Sequence, residues 1–360
     1  MKNRQMQGYV GAIISVVLLA VLPLKMGSHS VLSLMHLDVS ILSEMLLFGI
    51  AAMSVNLLLG YTGLMSFGNA AYFGLGAYGA GLSIHYLNVN FIEGALIGTA
   101  IAFIGGLLVG PFLLRRRGIY FALLTLAFGQ VFYFIAYRAN EFTGGEDGMS
   151  FSRPYFGFPG WHTDLHETTF YYLMLLVFAA VLLGFWLIVR SPFGRTLQAI
   201  RQNELRVRYL GLDSNKFIFV ALLVSAGMAG LAGALYGLLI MFAAPLMLDW
   251  QQSGDFVMIM ILGGAGTIWG PIVGSLIYVI GKDIVSTLTQ TWQIYIGALF
   301  VICVLAFPRG LLGTLLYAIA RRDVGAPVSE EEVAHKTWEH GGSAGTPTGA
   351  AVAAAEQKES

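Results

Sequence analysis

The sequence predicts an all-α integral membrane protein, a polytopic helical bundle of about nine to ten transmembrane helices with broken or re-entrant segments. Apolar residues make up 57% of the chain and charged residues only 11%, where a soluble domain carries about 25% charge. The mean hydropathy is +0.73. Several runs approach or pass the roughly 20 apolar residues that cross a bilayer, too many for one soluble core.

Apolar segments fall at 8–24, 40–60, 64–84, 91–114, 118–137, 168–189, 217–243, 254–263, 270–287 and 291–307. The first follows Lys2 and Arg4, but it exceeds the roughly 7 to 15 residue core of a signal peptide and no small-x-small cleavage site follows it. It reads as a retained span. Segment 251–290 contains ILGGAGTIWGP, where Gly263, Gly264, Gly266, Gly270 and Pro271 break a helix. Broken backbone at membrane depth is tolerated only inside protein or beside water. The expectation is a short helix, a glycine turn near the cytoplasmic face and a second helix; one long kinked span is the alternative.

Charge orients these segments. Arg115, Arg116, Arg117 and the stretch 190–216 are basic, whereas 138–167 holds Glu141, Glu146, Asp147, Asp164 and Glu167 against two arginines. The positive-inside rule puts the basic connections in the cytoplasm and the acidic one outside. With both termini cytoplasmic, Lys2, Arg4, Arg309, Arg321 and Arg322 bring the cytoplasmic total to fourteen of the twenty Lys and Arg residues. Residues 1–322 form the membrane domain in this reading. The stretch 323–360 is poor in large apolar residues and is expected to be a disordered cytoplasmic tail.

Small residues recur every four positions at Gly94, Gly98, Ala102, Gly106 and Gly110. They do so again at Ser225, Ala229, Gly233 and Gly237, beside Ala226, Gly230 and Ala234. Such rows let helix backbones approach closely. Packing within one bundle is the simpler reading, a subunit interface the bolder one.

Catalytic chemistry is sparse. There is no HExxH, GxSxG or CxxC, so neither a membrane protease nor a redox enzyme is indicated. Lone Cys303 supplies no metal cluster, and no catalytic or metal site is expected. Glu44 and Glu93 fall near helix ends, which weakens a proton-driven carrier that needs an ionisable relay deep in a span. No G-x-x-x-x-G-K-[ST] loop is present, so ATP phosphates are not cradled here by that route, and GGAGTIWG lacks dinucleotide-fingerprint spacing. The polar side chains inside the spans are Asn56, Tyr61, Thr62, Ser66, Asn69, Thr125 and Gln130. Their clustering with glycines in YTGLMSFGNAAYFGLGAYGAG suggests an interrupted helix near a solute pathway.

The most informative stretch is RSPFGRTLQAIRQNELRVRYLGLDSNK, which holds six of the twenty basic residues between two apolar segments. Leu197, Ile200, Val207 and Leu210 follow helical spacing, with Arg195, Arg201, Gln202, Arg206 and Arg208 around them. Ser191, Pro192 and Gly194 set off the start and Gly211 is placed to end it. The result is one short amphipathic helix at the cytoplasmic face, lying on a soluble partner or on anionic lipid.

The chain resembles the longer permease type of branched-chain amino acid ABC importers. The resemblance runs from about residue 40 to 313 and rests on LLLGYTGLMSFGNAAYFGLGAYGAG, RRRGIYFALLTLAFGQV, TGGEDG, the 190–216 stretch with SAGMAGLAGALYG, and ILGGAGTIWGPIVG. It implies a multi-pass protein of a bacterial inner membrane and a heterodimer with a second permease. It also implies two ATPase subunits, which bind and hydrolyse ATP so that this chain needs no cofactor, and a periplasmic solute-binding protein. No nucleic acid is among the expected partners.

By this resemblance the 191–212 region is a coupling helix seated on an ATPase, with Arg195, Arg201, Asn203, Glu204, Arg206 and Gly211 as docking residues. Asn56, Tyr61, Ser66, Asn69 and Gln130 are the candidate pathway residues. Many relatives are expected to carry His or Gln where this chain has Asn69. Thr143, Gly144, Gly145 and Asp147 either contact the binding protein or form a turn. Branched-chain or similar small amino acids are the expected solutes. The alternatives are urea, short amides or aromatic acids in a related importer, or an ATP-independent channel or carrier.

Overall fold

The computed structural model describes residues 25, 26, 29, 30, 39–152, 167–307, 310, 311 and 314. The expected first span at 8–24 and the tail at 323–360 lie outside the described residues. A bilayer forces backbone groups to bond within their own segment, and the apolar runs accordingly become helices. These are α1 (Val39–Val55), α2 (Asn69–Leu87), α3 (Phe91–Leu113), α4 (Ile119–Arg138), α5 (Glu167–Arg190), α6 (Pro192–Gln202), α7 (Glu204–Tyr209), α8 (Ser214–Ile240), α9 (Trp250–Gly263), α10 (Gly270–Leu288) and α11 (Trp292–Ala306). Among the described residues six helices are long and apolar enough to cross a membrane. The protein is a multi-pass, all-helical membrane protein.

Burial separates the helices by role. The span formed by α1 and its π-helical extension Asn56–Thr62 has 89% of its most apolar window buried, against 28% for α4 and 33% for α5. Thus α1 is the axis of the bundle, touching α5, α8, α9 and α10, while α4 and α5 present broad apolar faces outward.

The two rows of small residues meet each other inside the chain. Gly98 lies against the Gly76 carbonyl and Ala234, Gly230 against Ala102, Gly106 against Ala226, and Gly233 against the Phe73 carbonyl. A Cβ at Gly106 would come within 2.7 Å of the Ala226 methyl. Glycine therefore sets the spacing of α2, α3 and α8, which is packing within one bundle.

Two helices start in the middle of the bundle. After α1 the chain turns at Gly63, φ +78°, and α2 begins only at Asn69. Asn69 bonds to Ser225, which lies about 16 Å along α8 from its start. Helix α9 has 14 residues, about 21 Å against a hydrocarbon core of about 30 Å. Its start lies beside that of α2, because the Ala70 N–H donates to Ser253 Oγ at 2.8 Å. The segment 264–269 is the expected glycine turn, and α9 and α10 pack as a hairpin. Gly310 returns the chain to Gly264, so α11 runs back to the same end as that turn.

Candidate functional site

The basic end is built from α6 and α7. Ser191 caps α6, its Oγ accepting from Gly194 N at 3.2 Å, and Pro192 occupies the first turn, where its missing N–H costs nothing. One continuous helix was expected over this stretch, but Asn203 interrupts it. Its backbone is extended (φ −162°, ψ 102°) and its Oδ1 accepts from Arg206 N at 3.0 Å, starting α7. An N-cap signal inside an amphipathic pattern outcompetes continuation, because Asn offers its side chain to the amides of the next turn. The expected terminator is in place, with Gly211 at φ +82°.

Leu197, Ile200 and Val207 are buried as their spacing requires, but Leu210 is 76% exposed, together with Leu205 at 63% and Tyr209 at 87%. The break at Asn203 rotates α7 so that these apolar side chains face outward. Leu205 and Tyr209 were missed because a single-helix register does not group them with Leu210.

The docking candidates divide into outward and inward groups. Arg195 and Arg206 are exposed. Glu204 instead ties the helix pair to the bundle: Arg117 Nε donates to it at 3.1 Å, Arg208 Nη2 at 2.8 Å and Ser214 Oγ at 2.9 Å. Partial burial alone raises its carboxyl pKa, but the hydrogen bonds from Arg117 and Ser214 and the charges of Arg117 and Arg208 outweigh this and hold it below its ordinary value. Arg201 reaches inward, its guanidinium donating to the Gly60 carbonyl in the π-helical extension of α1.

Arg201 thereby meets a backbone lock between the end of α1 and the 264–269 turn. Asn56 Nδ2 donates to the Thr267 carbonyl at 2.8 Å and its Oδ1 accepts from Gly266 N at 2.8 Å. A Cβ on Gly60 would lie 2.6 Å from Gly266 N, and Gly266 itself has φ +77°. Both positions demand glycine. Tyr61 is buried beside the lock with its ring edge-on to Phe185 at 5.8 Å.

The other expected pathway residues lie at the two mid-depth helix starts. Asn69 is fully buried and bonded on every side: Ser66 Oγ donates to its Oδ1 at 2.8 Å, and its Nδ2 donates to Ser54 Oγ at 3.0 Å and Ser225 Oγ at 2.9 Å. It joins α1, α2 and α8. Gln130 donates to Asp249 Oδ1 at 2.9 Å, the same oxygen that caps α9.

At the acidic end Thr143 Oγ1 donates to the Ala136 carbonyl at 2.6 Å and accepts from Gly145 N at 3.3 Å, while Gly144 and Gly145 take φ +75° and +62°. These three residues form a turn, and Asp147 beside them is exposed. Met149 and Ser150 pair with Ala243 and Phe242, fastening the turn to the chain beyond α8.

The sequence reading found no ionisable group deep in a span. Asp255, five residues into α9, was not singled out by it and lies beside Tyr278 in the lining of a cavity. This cavity of about 630 Å³ opens between α9, α10 and α11. Lys282 borders it, paired with Glu44 on α1 at 3.0 Å and placed over the rings of Phe48 and Trp292. The missed signal was the i, i+3 row Asp249, Gln252 and Asp255 on a helix too short to read as a span.

Residues 39–306, well over half of the chain, match the family described as branched-chain amino acid transport system / permease component. The chain belongs to this permease family. The high-affinity branched-chain amino acid transport system permease protein LivM of Escherichia coli (strain K12) is 29% identical over 76% of this chain and 69% of its own length. A probable branched-chain amino acid transport permease protein LivM of Methanocaldococcus jannaschii is 27% identical over 66% of this chain and 77% of its own. The permease also resembles LivH of Escherichia coli (strain K12), a permease protein of the same named transport system, at 26% identity over 41% of this chain and 48% of that one. No solved structure matches the chain.

Proposed function

We propose that this permease is a membrane subunit of an ATP-driven importer for branched-chain or similar small amino acids in a bacterial inner membrane. The basic end and both termini face the cytoplasm, and 323–360 is a cytoplasmic tail. A second permease, two ATPase subunits and a periplasmic solute-binding protein complete the machine, and ATP is handled by the ATPases. Family membership and resemblance to both LivM and LivH, permease proteins of one named transport system, support this reading.

The observation that carries it is the two-sidedness of α6 and α7. Leu205, Tyr209 and Leu210 point outward, flanked by Arg195 and Arg206, a desolvatable centre with a charged rim of the kind that makes a protein interface. Asn203 and Gly211 shape this surface, and Glu204 and Arg201 fasten its back to the bundle. Movement of an ATPase against it passes through Arg201 to Gly60 and, through Asn56, to the α9–α10 hairpin. Gln130 and Asp249 line the pathway, Asn56, Tyr61, Ser66 and Asn69 hold the broken helices beside it, and the Thr143, Gly144, Gly145 and Asp147 turn meets the binding protein.

The test is Tyr209→Ala combined with Arg206→Glu in the full chain, expressed with its partners. The ATPases are expected to stop co-purifying and ATP-dependent leucine uptake to fall at least tenfold, a loss consistent with removing one interface anchor. Retention of both would overturn the docking assignment.

A further inference from the structure

We propose that the cavity between α9, α10 and α11 is a recognition site for the charged backbone of an α-amino acid, binding its ammonium at Asp255 and its carboxylate at Gln252 and Lys282. The proposal rests on the importer reading above and deepens it.

Two polar demands stand unmet on one helix face. Gln252 Nε2 is buried without a hydrogen-bond partner, a donor that costs free energy until an acceptor arrives. Asp255, three residues on, carries a carboxylate that lines the same cavity beside Tyr278, whereas the nearby Lys282 ammonium is already committed to Glu44 at 3.0 Å. Residues at i and i+3 on a helix are neighbours about 5–6 Å apart at Cβ. A ligand that answers both demands carries a cation and, close to it, a hydrogen-bond acceptor, and an α-amino acid holds its ammonium and carboxylate on one carbon.

Lys282 strengthens the anion side. An ammonium has three donors, so one bond to Glu44 leaves others to share with a carboxylate, and its position over Trp292 and Phe48 fixes the charge in place. Met258, Ile296 and the Trp292 ring supply apolar wall for a side chain. The volume of about 630 Å³ suits a small solute, since ligand pockets span about 300–1,000 Å³. An uncharged amide such as urea answers the donor but leaves Asp255 without a cation. The site therefore selects zwitterions.

The experiment uses the full chain with its partners in proteoliposomes, and separately the full chain in nanodiscs with radiolabelled leucine as the probe. Asp255→Asn and Gln252→Ala are each expected to lower leucine uptake and binding at least tenfold, the worth of a hydrogen bond to a charged group. ATPase co-purification is expected to be unchanged. Unlabelled leucine should displace the label, whereas leucinamide and 4-methylpentanoate, each missing one charge, should not. Gln252→Ala breaks no bond within the chain, so its folding is not at issue if Asp255→Asn fails to assemble.

Wild-type transport of leucine with both variants unaffected would overturn this proposal and leave the importer reading standing. Displacement by either single-charge analogue as effectively as by leucine would also overturn it. Wild-type proteoliposomes that move no amino acid would instead overturn the importer reading on which it rests.

Discussion

The basic end and the cavity are both built around breaks in helices, yet they treat backbone and charge in opposite ways. At the Asn56, Gly60 and Gly266 lock the backbones approach so closely that a Cβ on Gly60 would lie 2.6 Å from Gly266 N, and both ends of the Asn56 amide are bonded. At the cavity an ion pair and a carboxylate border open space, and a buried amide nitrogen beside them is left without a partner. A saturated, close-packed junction transmits displacement because it has no slack. An unsaturated one leaves interactions for a solute to complete. One chain thus keeps a rigid joint toward its basic end and an adaptable polar site toward the opposite end.

Substitutions that break this contrast rank by how much packing they disturb. Gly60→Val is expected to have the largest effect, because a side chain there meets both the Asn56 amide and the Gly266 backbone. Overpacking of this kind costs about 3 kcal/mol or more, and thermal unfolding of the purified chain in detergent should show the loss. Asn56→Ala leaves the Gly266 N–H and the Thr267 carbonyl without their partner, at about 1–3 kcal/mol for each. Faster hydrogen exchange confined to 264–269 would mark it, and unchanged exchange would show that the lock is not held by Asn56.

The cavity side is sharpened by Lys282→Met, which strands the Glu44 carboxylate and should cost about 1.5–3 kcal/mol. Adding Glu44→Gln should recover part of that loss, and a double-mutant cycle measures the coupling. Purely additive effects would show that the pair does not act as a unit.

A smaller effect is expected from pH at Glu204. Its carboxyl is held below its ordinary value in the folded protein, so it contributes stability that is present above the ordinary carboxylate range and is lost as pH falls through the depressed value. Stability of the wild-type chain should fall in that acidic window more steeply than that of Glu204→Gln. The smallest effect belongs to Asp147→Asn in the exposed turn, within about 0.5 kcal/mol in stability. In the importer reading this change weakens binding-protein docking, which a pull-down with that protein measures.

Much of this architecture is written locally and was legible without coordinates. The α9–α10 hairpin follows from Gly263, Gly264, Gly266, Gly270 and Pro271, because Gly264 and Gly266 take φ +124° and +77°, a backbone that ends a helix and suits glycine. Helix α6 begins where Ser191 and Pro192 say it should. The Asn203 break was written just as locally and was overlooked, since the apolar spacing on either side suits one continuous helix.

Sequence by itself determined the membrane class, the basic and acidic ends, the helix-breaking turns and the family motifs. All depend on composition or on neighbours within a few residues. Tertiary structure decided that Arg201 turns inward to Gly60, that Glu204 ties the bundle to α6 and α7, and that Asn69 joins three helices. It also decided that Asp255, Gln252 and Lys282 share a cavity. Asn56 and Gly266 are separated by 210 positions and Glu44 and Lys282 by 238. No periodicity within a helix carries information over that distance; only the packing of α1 against the α9–α10 hairpin brings those partners together.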